Sequence, residues 1–345
     1  MSNMVLDKLS KQYVLKAGFF TQLSGKAGVV SAVDQVSFVM EEGEIVGLVG
    51  ESGCGKTTLG KMLLKIEDIP SGSAYIDGTE ISTIRGRKQI VSFRKKLQMI
   101  FQDPYDSLDP KMTIREIVAE PLNSLKLCKT NNELQKRVTE TLRMVELTPV
   151  ELYQDRYPHQ LSGGQRQRVA IARALVVDPE FTIADEPVSM LDVSLRAGVL
   201  NLLQKMNREK GIGVLLITHD LATARFLCNR IVVMYLGKFV EITDPTSLVD
   251  DAMHPYTQLL ISSAPDLFAD TSNRIKVEGE AASAVAPPKG CRFSPRCPYA
   301  KEICRELEPE LVEYEPRHFV ACHKAAKDFE LLHDIARNEK VNKEE

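Results

Sequence analysis

The chain has 345 residues, a length that fits one large domain and a smaller one. Its 44 Lys and Arg residues nearly balance 47 Asp and Glu residues, and the formal net charge of -3 does not indicate a nucleic-acid partner. The sequence contains no run of about 18 or more apolar residues and no apolar signal segment, so we expect a soluble, intracellular chain whose membrane role would come through partners.

Short apolar runs alternate with longer amphipathic stretches, as is typical of an α/β fold with buried parallel strands. Polar groups follow four predicted strands: 44–49 before Gly50, 97–101 before Gln102, 181–184 before Asp185, and 214–217 before Thr218 and His219. Ligand sites in open α/β sheets lie at the carboxyl ends of strands, so these groups are predicted to form one site. A helical subdomain is predicted over about 105–178, with 105–160 as an insertion, because residues 133–147 have helical periodicity.

Residues 50–57, GESGCGKT, fit the pattern G-x-x-x-x-G-K-[ST] between a predicted strand and a predicted helix. The glycines let backbone N–H groups surround phosphates, and the helix that follows points its positive end at them. Lys56 would add a charge near the β- and γ-phosphates, and the Thr57 hydroxyl would ligate Mg²⁺. The alternative is a glycine-rich turn, but the strand and helix on either side favour a nucleotide site.

A second loop of small residues, LSGGQ at 161–165, precedes an amphipathic helical pattern. Such a loop at the start of a helix is a second anion-binding helix terminus. One phosphate cluster needs only one such terminus, so the second is predicted to bind the nucleotide of another subunit. A helix cap with flexible glycines is the alternative.

Asp185 and Glu186 are adjacent carboxylates at the end of a predicted strand. One can hold Mg²⁺, and the next can orient or deprotonate an attacking water. Two acids at a strand end are also common solvated residues, so the pair alone leaves both interpretations open. The phosphate loop in the same chain favours catalysis.

In this order, the motifs resemble those of the ATP-binding subunits of ABC transporters, over residues from about 10 to 250. GESGCGKTT is similar to the Walker A motif, LSGGQ to the signature motif, and TIADEP to Walker B, with Glu186 at the position of the catalytic glutamate. Gln102 in MIFQDP resembles the Q-loop glutamine, residues 189–192 resemble the D-loop, and His219 resembles the switch histidine.

This resemblance implies two ATP molecules, each held between Walker A of one subunit and the signature motif of the other. Glu186 would polarise the water, and Lys56, His219 and Gln102 would complete the catalytic set. The implied Mg²⁺ ligands are Thr57, Gln102 and Asp185. The implied ATP contacts are Tyr13, Gly50, Ser52, Gly53, Cys54, Gly55, Lys56, Thr57, Thr58, Ser162, Gly164 and Gln165. Tyr13 would stack on adenine; the alternative is an ordinary strand residue.

The segment from His254, HPYTQLLISSAP, and the later GCRFSPRCPYAKEIC resemble the C-terminal extension of oligopeptide/dipeptide importers, a group that also includes nickel and some sugar importers. LKAGFF and QMIFQDPYDSLDP resemble the F-type ATPase of such importers.

The implied domains are 1–250, the nucleotide-binding domain, and 251–345, the extension. The implied partners are two transmembrane permease subunits, a second homologous ATPase and, indirectly, an extracytoplasmic solute-binding protein, with no nucleic acid. The implied location is the cytoplasmic face of the inner membrane.

Four cysteines, Cys291, Cys297, Cys304 and Cys322, lie close together near the C-terminus. An intracellular chain rarely keeps structural disulfides, so this group indicates metal. The spacing lacks the C-x2-C pairs of zinc ribbons and bacterial ferredoxins and leaves zinc, iron–sulfur and free thiols open. The family resemblance implies a [4Fe–4S] cluster with a structural or regulatory role. Surface positions are predicted for His318 and His323, a linker or an exposed loop for 266–290, and a frayed tail for 338–345.

Overall fold

A computed structural model of the protein describes residues 3–14, 28–263, 285 and 287–325. Its strands are β1 (Asn3–Val14), β2 (Val29–Glu41), β3 (Ile45–Val49), β4 (Ser71–Ile76), β5 (Thr79–Glu80), β6 (Leu97–Ile100), β7 (Phe181–Asp185), β8 (Gly213–Thr218), β9 (Arg230–Tyr235), β10 (Lys238–Thr243), β11 (Val312–Glu315) and β12 (His318–Val320). Its α-helices are α1 (Lys56–Leu63), α2 (Gly86–Lys96), α3 (Pro104–Ser107), α4 (Ile114–Ser124), α5 (Asn131–Met144), α6 (Gly163–Leu175), α7 (Val193–Lys210), α8 (Leu221–Leu227), α9 (Pro245–Asp250), α10 (Pro255–Ser262) and α11 (Glu302–Glu306).

The central sheet has the strand order β11-β12-β10-β9-β3-β8-β7-β6. Strands β9, β3, β8, β7 and β6 pair in parallel, and the strands beyond β9 pair antiparallel. The four predicted strands are therefore present as β3, β8, β7 and β6, side by side. Their carboxyl ends meet at one edge of the sheet, which is where the predicted site residues lie.

Both faces of the central sheet are covered by apolar cores, which explains why β3 is apolar throughout. Alternate side chains of a strand point to opposite faces. Ile45 and Val49 join the core beneath the helices α4 to α8, whereas Val46 and Leu48 join the core beneath a second sheet. That second sheet is antiparallel, with the order β2-β1-β4-β5. The predicted α/β class, with a parallel-sheet core and an antiparallel β part, is thereby confirmed.

Helices α4, α5 and α6 pack together between β6 and β7 in the chain. The predicted helix at 133–147 is α5, which begins two residues earlier because the Thr130 side chain caps it by accepting from the N–H of Glu133. It ends at Met144, three residues earlier than predicted, because the chain reverses at Glu146 with a left-handed φ of 60°.

The C-terminal part of the chain joins the central sheet, because β12 pairs with β10. Three predicted features lie wholly or largely outside the described residues: the LKAGFF segment, the linker at 266–290 and the tail at 338–345. Within the described ranges, no helix has the length and apolar character needed to cross a bilayer.

Candidate functional site

The phosphate loop connects β3 to α1 at the carboxyl edge of the central sheet. Lys56 is buried, and its Nζ donates hydrogen bonds to the carbonyl oxygens of Gly50 at 2.7 Å and Glu51 at 2.9 Å. The N–H of Gly237 donates to the carbonyl of Cys54 at 2.8 Å, so the turn after β9 supports the loop. The loop carbonyls therefore fix the position of the lysine ammonium group.

Gly55 precedes α1 with a left-handed φ of 113°. A Cβ at this position would lie 1.9 Å from the backbone oxygen of Ala32, so no side chain fits. Gly53 has a similar φ of 78°, but a Cβ there would meet nothing within 4 Å. Comparing substitutions at these two glycines therefore separates the effect of backbone strain, which both share, from that of a steric clash, which only Gly55 would have.

We expect Gly55→Ala to lower the free energy of unfolding by about 2–3 kcal/mol more than Gly53→Ala does, since overpacking adds to the shared strain. Denaturant unfolding of both variants measures this difference. Equal destabilisation would contradict a clash with Ala32.

Two residues from different elements form the predicted Mg²⁺ position. The Thr57 hydroxyl, on α1, donates to Oδ1 of Asp185, at the end of β7, at 3.4 Å. Asp185 is buried, and burial raises the pKa of its carboxyl group, while the Thr57 hydrogen bond and the Lys56 charge oppose that rise. The third predicted ligand, Gln102, points its amide nitrogen at Glu186. An oxygen pair of hydroxyl and carboxylate is suited to Mg²⁺.

The Glu186 carboxylate is held from both sides. Gln102 Nε2 donates to its Oε2 at 2.9 Å, and His219 Nδ1 bonds its Oε1 at 2.9 Å. The backbone N–H of Glu186 donates to the Ile217 carbonyl at 2.8 Å, and the residue has a left-handed φ of 44°. A strained backbone held by neighbouring contacts is typical of functional positions. Three predicted catalytic residues therefore meet around one carboxylate.

The predicted signature residues lie at the start of α6. Ser162 caps the helix: its Oγ accepts from the N–H of Gln165 at 3.3 Å, and the Gln165 side chain accepts from the N–H of Ser162 at 3.0 Å. Gly164 faces Leu195, near the start of α7. Within the described part of the chain, the side-chain hydrogen bonds of Ser162 and Gln165 are to each other and not to the phosphate loop. An ATP contact from these residues stays a prediction.

The remaining predicted ATP contacts differ in exposure. Ser52, Gly53 and Thr57 are exposed on the loop, whereas Thr58 is half-buried. Cys54 is buried, and burial raises the pKa of its thiol, so it is a neutral packing residue beside Lys56. Tyr13 is half-buried on β1, with the Lys11 ammonium 5.3 Å from its ring centre. Adenine stacking on Tyr13 stays a prediction.

All four C-terminal cysteines line one small cavity. Burial raises the pKa of Cys291 to about 12 and that of Cys322 to about 11. His254 lines the same cavity; its Nδ1 accepts from the N–H of Tyr256, and its buried Nε2 has no partner among the described residues. Nevertheless, among these described residues no three His, Cys, Asp or Glu side chains are arranged as metal ligands.

The prediction of surface positions for His318 and His323 is wrong. Both are buried: His318 is the first residue of β12, which pairs with β10, and His323 lies in the turn just after that strand. His318 Nε2 bonds the fully buried carboxylate of Glu241 at 2.7 Å, and His323 Nε2 donates to the Leu307 carbonyl at 3.0 Å. A buried polar side chain such as that of Glu241 needs a hydrogen-bond partner, and His318 provides one.

Sequence reasoning missed two residues that contact the phosphate loop. Tyr256 and Arg296 both bond Glu51, across sequence separations of 205 and 245 residues. The only available signals were an unassigned tyrosine in HPYT and an arginine between two cysteines, and neither points to a loop so far away.

Comparisons with known proteins show the family of the chain. The family described as ABC transporter matches residues 33–189, and the family described as Oligopeptide/dipeptide transporter, C-terminal region, matches residues 240–304. The chain is 48% identical over 303 residues to the putative oligopeptide transport ATP-binding protein YkfD of Bacillus subtilis strain 168, covering 87% of this chain and 91% of YkfD. It is 46% identical over 321 residues to the oligopeptide transport ATP-binding protein AppF of the same strain, covering 92% and 96% respectively.

Solved structures show the same fold. The dimeric bacterial ABC transporter cassette MJ0796 is 32% identical and superposes with a TM-score of 0.61, covering 70% of this chain and 98% of that one. A dimeric post-hydrolysis state of MJ0796 bound to ADP and Pi gives the same values.

The fold and the site together define an ATP-hydrolysing cassette of the ABC class. Since nearly full-length relatives are 46% and 48% identical to it, the chain belongs to the ATP-binding subunits of oligopeptide/dipeptide ABC transporters. The family resemblance predicted from the motifs is confirmed.

Proposed function

We propose that this subunit hydrolyses ATP to power the import of dipeptides or oligopeptides. The similarity to AppF and YkfD, together with the match to the C-terminal region of oligopeptide/dipeptide transporters, supports a peptide cargo. The likeness to AppF also supports an F-type subunit. Nickel or sugar cargo within the same importer group is the alternative, and a non-transport ABC ATPase is a more distant one.

Catalysis is assigned to the Glu186 carboxylate, which has one side-chain contact on each of its two oxygens. Glu186 orients or deprotonates the attacking water, and the hydrogen bonds from Gln102 and His219 keep its two oxygens in place. Lys56 would stabilise charge on the β- and γ-phosphates of bound ATP, and Thr57 and Asp185 would hold Mg²⁺. The position of Glu186 between Gln102 and His219 is the observation that carries this assignment.

The working unit that we propose is a dimer with a second, homologous ATPase. The signature residues Ser162, Gly164 and Gln165 close on the nucleotide of that partner; the two dimeric structures of MJ0796 support this arrangement. Closure of the dimer drives two transmembrane permease subunits, which places the chain on the cytoplasmic face of the inner membrane. An extracytoplasmic solute-binding protein delivers the cargo.

Affinity capture of the chain from gently solubilised membranes, prepared without oxygen, tests this assembly. Mass spectrometry should identify two multi-spanning proteins and a different ATPase. Ribosomes, DNA or no membrane protein would contradict the importer and favour a non-transport ATPase.

The cavity lined by the four cysteines contains the kind of ligand, cysteine thiols, that holds a [4Fe–4S] cluster. Four thiols, that of Cys304 buried and the other three half-buried, line one space, and the unpartnered Nε2 of His254 lines it too, so an occupant with acceptor atoms would satisfy a buried donor. The thiols are not arranged as a metal-ligand group in this structure. A cluster held by Cys291, Cys297, Cys304 and Cys322 would join distant parts of the cysteine-rich segment, residues 291–322, through iron–thiolate bonds.

We expect Cys297→Ser to abolish bound iron and its visible absorption in protein purified without oxygen. Iron and zinc are measured by elemental analysis, with Cys128→Ser, outside the cavity, as the matched control. Zinc in the unaltered protein would replace the cluster assignment with a zinc site, and absence of both metals would contradict a metal centre.

The predicted domains are 1–250, including the helical subdomain at about 105–178, and 251–345. Continuation of the central sheet by β12 supports an extension that is fixed to the ATPase domain. We therefore do not propose that 251–345 folds as a unit separate from the ATPase domain.

A further inference from the structure

Two side chains of the C-terminal region hold Glu51, the second residue of the phosphate loop. The N–H of Glu51 donates to Oη of Tyr256 at 2.8 Å. Arg296 Nη1 and Nη2 donate to the two carboxylate oxygens of Glu51, each at 3.0 Å. Bidentate guanidinium–carboxylate pairs fix orientation as well as adding strength. Both the backbone and the side chain of Glu51 are therefore anchored.

Both anchoring side chains are themselves fixed by packing. Tyr256 is fully buried, with its ring centre 4.5 Å from that of Tyr235 and 5.5 Å from that of Phe293. The Arg296 guanidinium lies 5.7 Å from the Phe293 ring centre, and its side chain is 11% exposed. Because these groups are already ordered, holding Glu51 costs little further side-chain entropy.

The anchored residue also holds the lysine of the site. Lys56 Nζ donates to the carbonyl of Glu51, whose N–H and carboxylate are bound by Tyr256 and Arg296. We propose that Arg296 and Tyr256 are positioning residues of the ATP site, which act through Glu51 to hold the loop that binds phosphates and orients Lys56. The cysteine-rich segment is thus a working part of the ATP site and sets its affinity for ATP.

The test compares Arg296→Ala with Arg305→Ala in the full-length protein; Arg305 is an exposed arginine of the same segment. We expect Arg296→Ala to raise both the Kd and the KM for ATP about tenfold, with kcat changed by less than about twofold. Arg296→Lys should give an intermediate Kd, because an ammonium group cannot make the bidentate pair. Arg305→Ala should leave Kd, KM and kcat unchanged.

A double-mutant cycle separates positioning from general destabilisation. Glu51→Gln should weaken ATP binding as much as Arg296→Ala, and the double variant should be no weaker than either single variant. The proposal would be overturned if the increases in Kd of the two single variants multiplied in the double variant, or if Kd were unchanged in both single variants. If Arg296→Ala fails to fold, the Kd for ATP is measured instead for Arg296→Lys and Tyr256→Phe, provided that the two variants have the same Tm. A raised Kd in both variants supports the proposal, and an unchanged Kd in both overturns it. Partner capture tests the import function independently, since it does not depend on ATP affinity.

Discussion

Glu186→Gln is expected to lower the rate of ATP hydrolysis at least about 100-fold, since a positioned general base contributes that much or more. The amide keeps the size of the side chain, and its oxygen can still accept the hydrogen bond from Gln102, so ATP should still bind. Steady-state hydrolysis and equilibrium binding of ATP, measured on the same preparation, check both expectations.

The glutamine variant should also trap a dimer on ATP, because closure no longer ends in hydrolysis. Size-exclusion chromatography of this subunit together with the second ATPase, with and without ATP, measures this change, and Glu209→Gln, on the last turn of α7, is the control. Unchanged hydrolysis in Glu186→Gln would remove Glu186 from the role of catalytic base.

Lys56→Ala is expected to weaken ATP binding about 10- to 100-fold, because hydrogen bonds to charged groups contribute about 1.5–3 kcal/mol. The lysine is buried and held on two loop carbonyls, so its ammonium group is placed before phosphate arrives. Calorimetric titration with ATP and Mg²⁺ gives the change in Kd.

The exposed lysine at position 205, on α7, provides the control for Lys56→Ala. Lys205→Ala should bind ATP as the unaltered protein does. Equal weakening in the two lysine variants would show that overall charge, rather than the position of Lys56, determines ATP affinity.

Local patterns predicted much of the fold and the grouping of the catalytic residues. Strands β3, β7 and β8 are fully buried and β6 is partly buried, so their sequences are mostly apolar, and a residue of the predicted site lies at or just after the end of each. Because such strands lie parallel, the position of Gln102, Glu186 and His219 at strand ends was sufficient to predict that they meet. Glu186 does bond both of the others.

Long-range pairing between distant segments was not predictable from the sequence. No local pattern shows that β12 would add to β10, and this pairing is what buries His318 against Glu241. The same limit applies to Arg296 and Glu51, which are joined by a contact across 245 residues. Charge and spacing indicate what a side chain can bind, but only the fold shows which partner it meets.

The structure connects ATP chemistry to the C-terminal region through a short chain of contacts. Cys297 lines the cysteine cavity, its neighbour Arg296 binds Glu51, and the carbonyl of Glu51 binds Lys56. A change in the cysteine-rich segment would therefore reach the phosphate loop within a few bonds. The affinity for ATP is the property expected to respond.

ATP hydrolysis by the proposed complex of two ATPases and two permeases, reconstituted in membranes, tests the central claim most directly. The rate is measured with the solute-binding protein either empty or loaded with a peptide. Peptide-loaded binding protein should stimulate hydrolysis and drive uptake of the peptide into the vesicles, and Glu186→Gln in this subunit should reduce both. Hydrolysis that ignores the loaded binding protein, with no peptide uptake, would contradict a peptide importer.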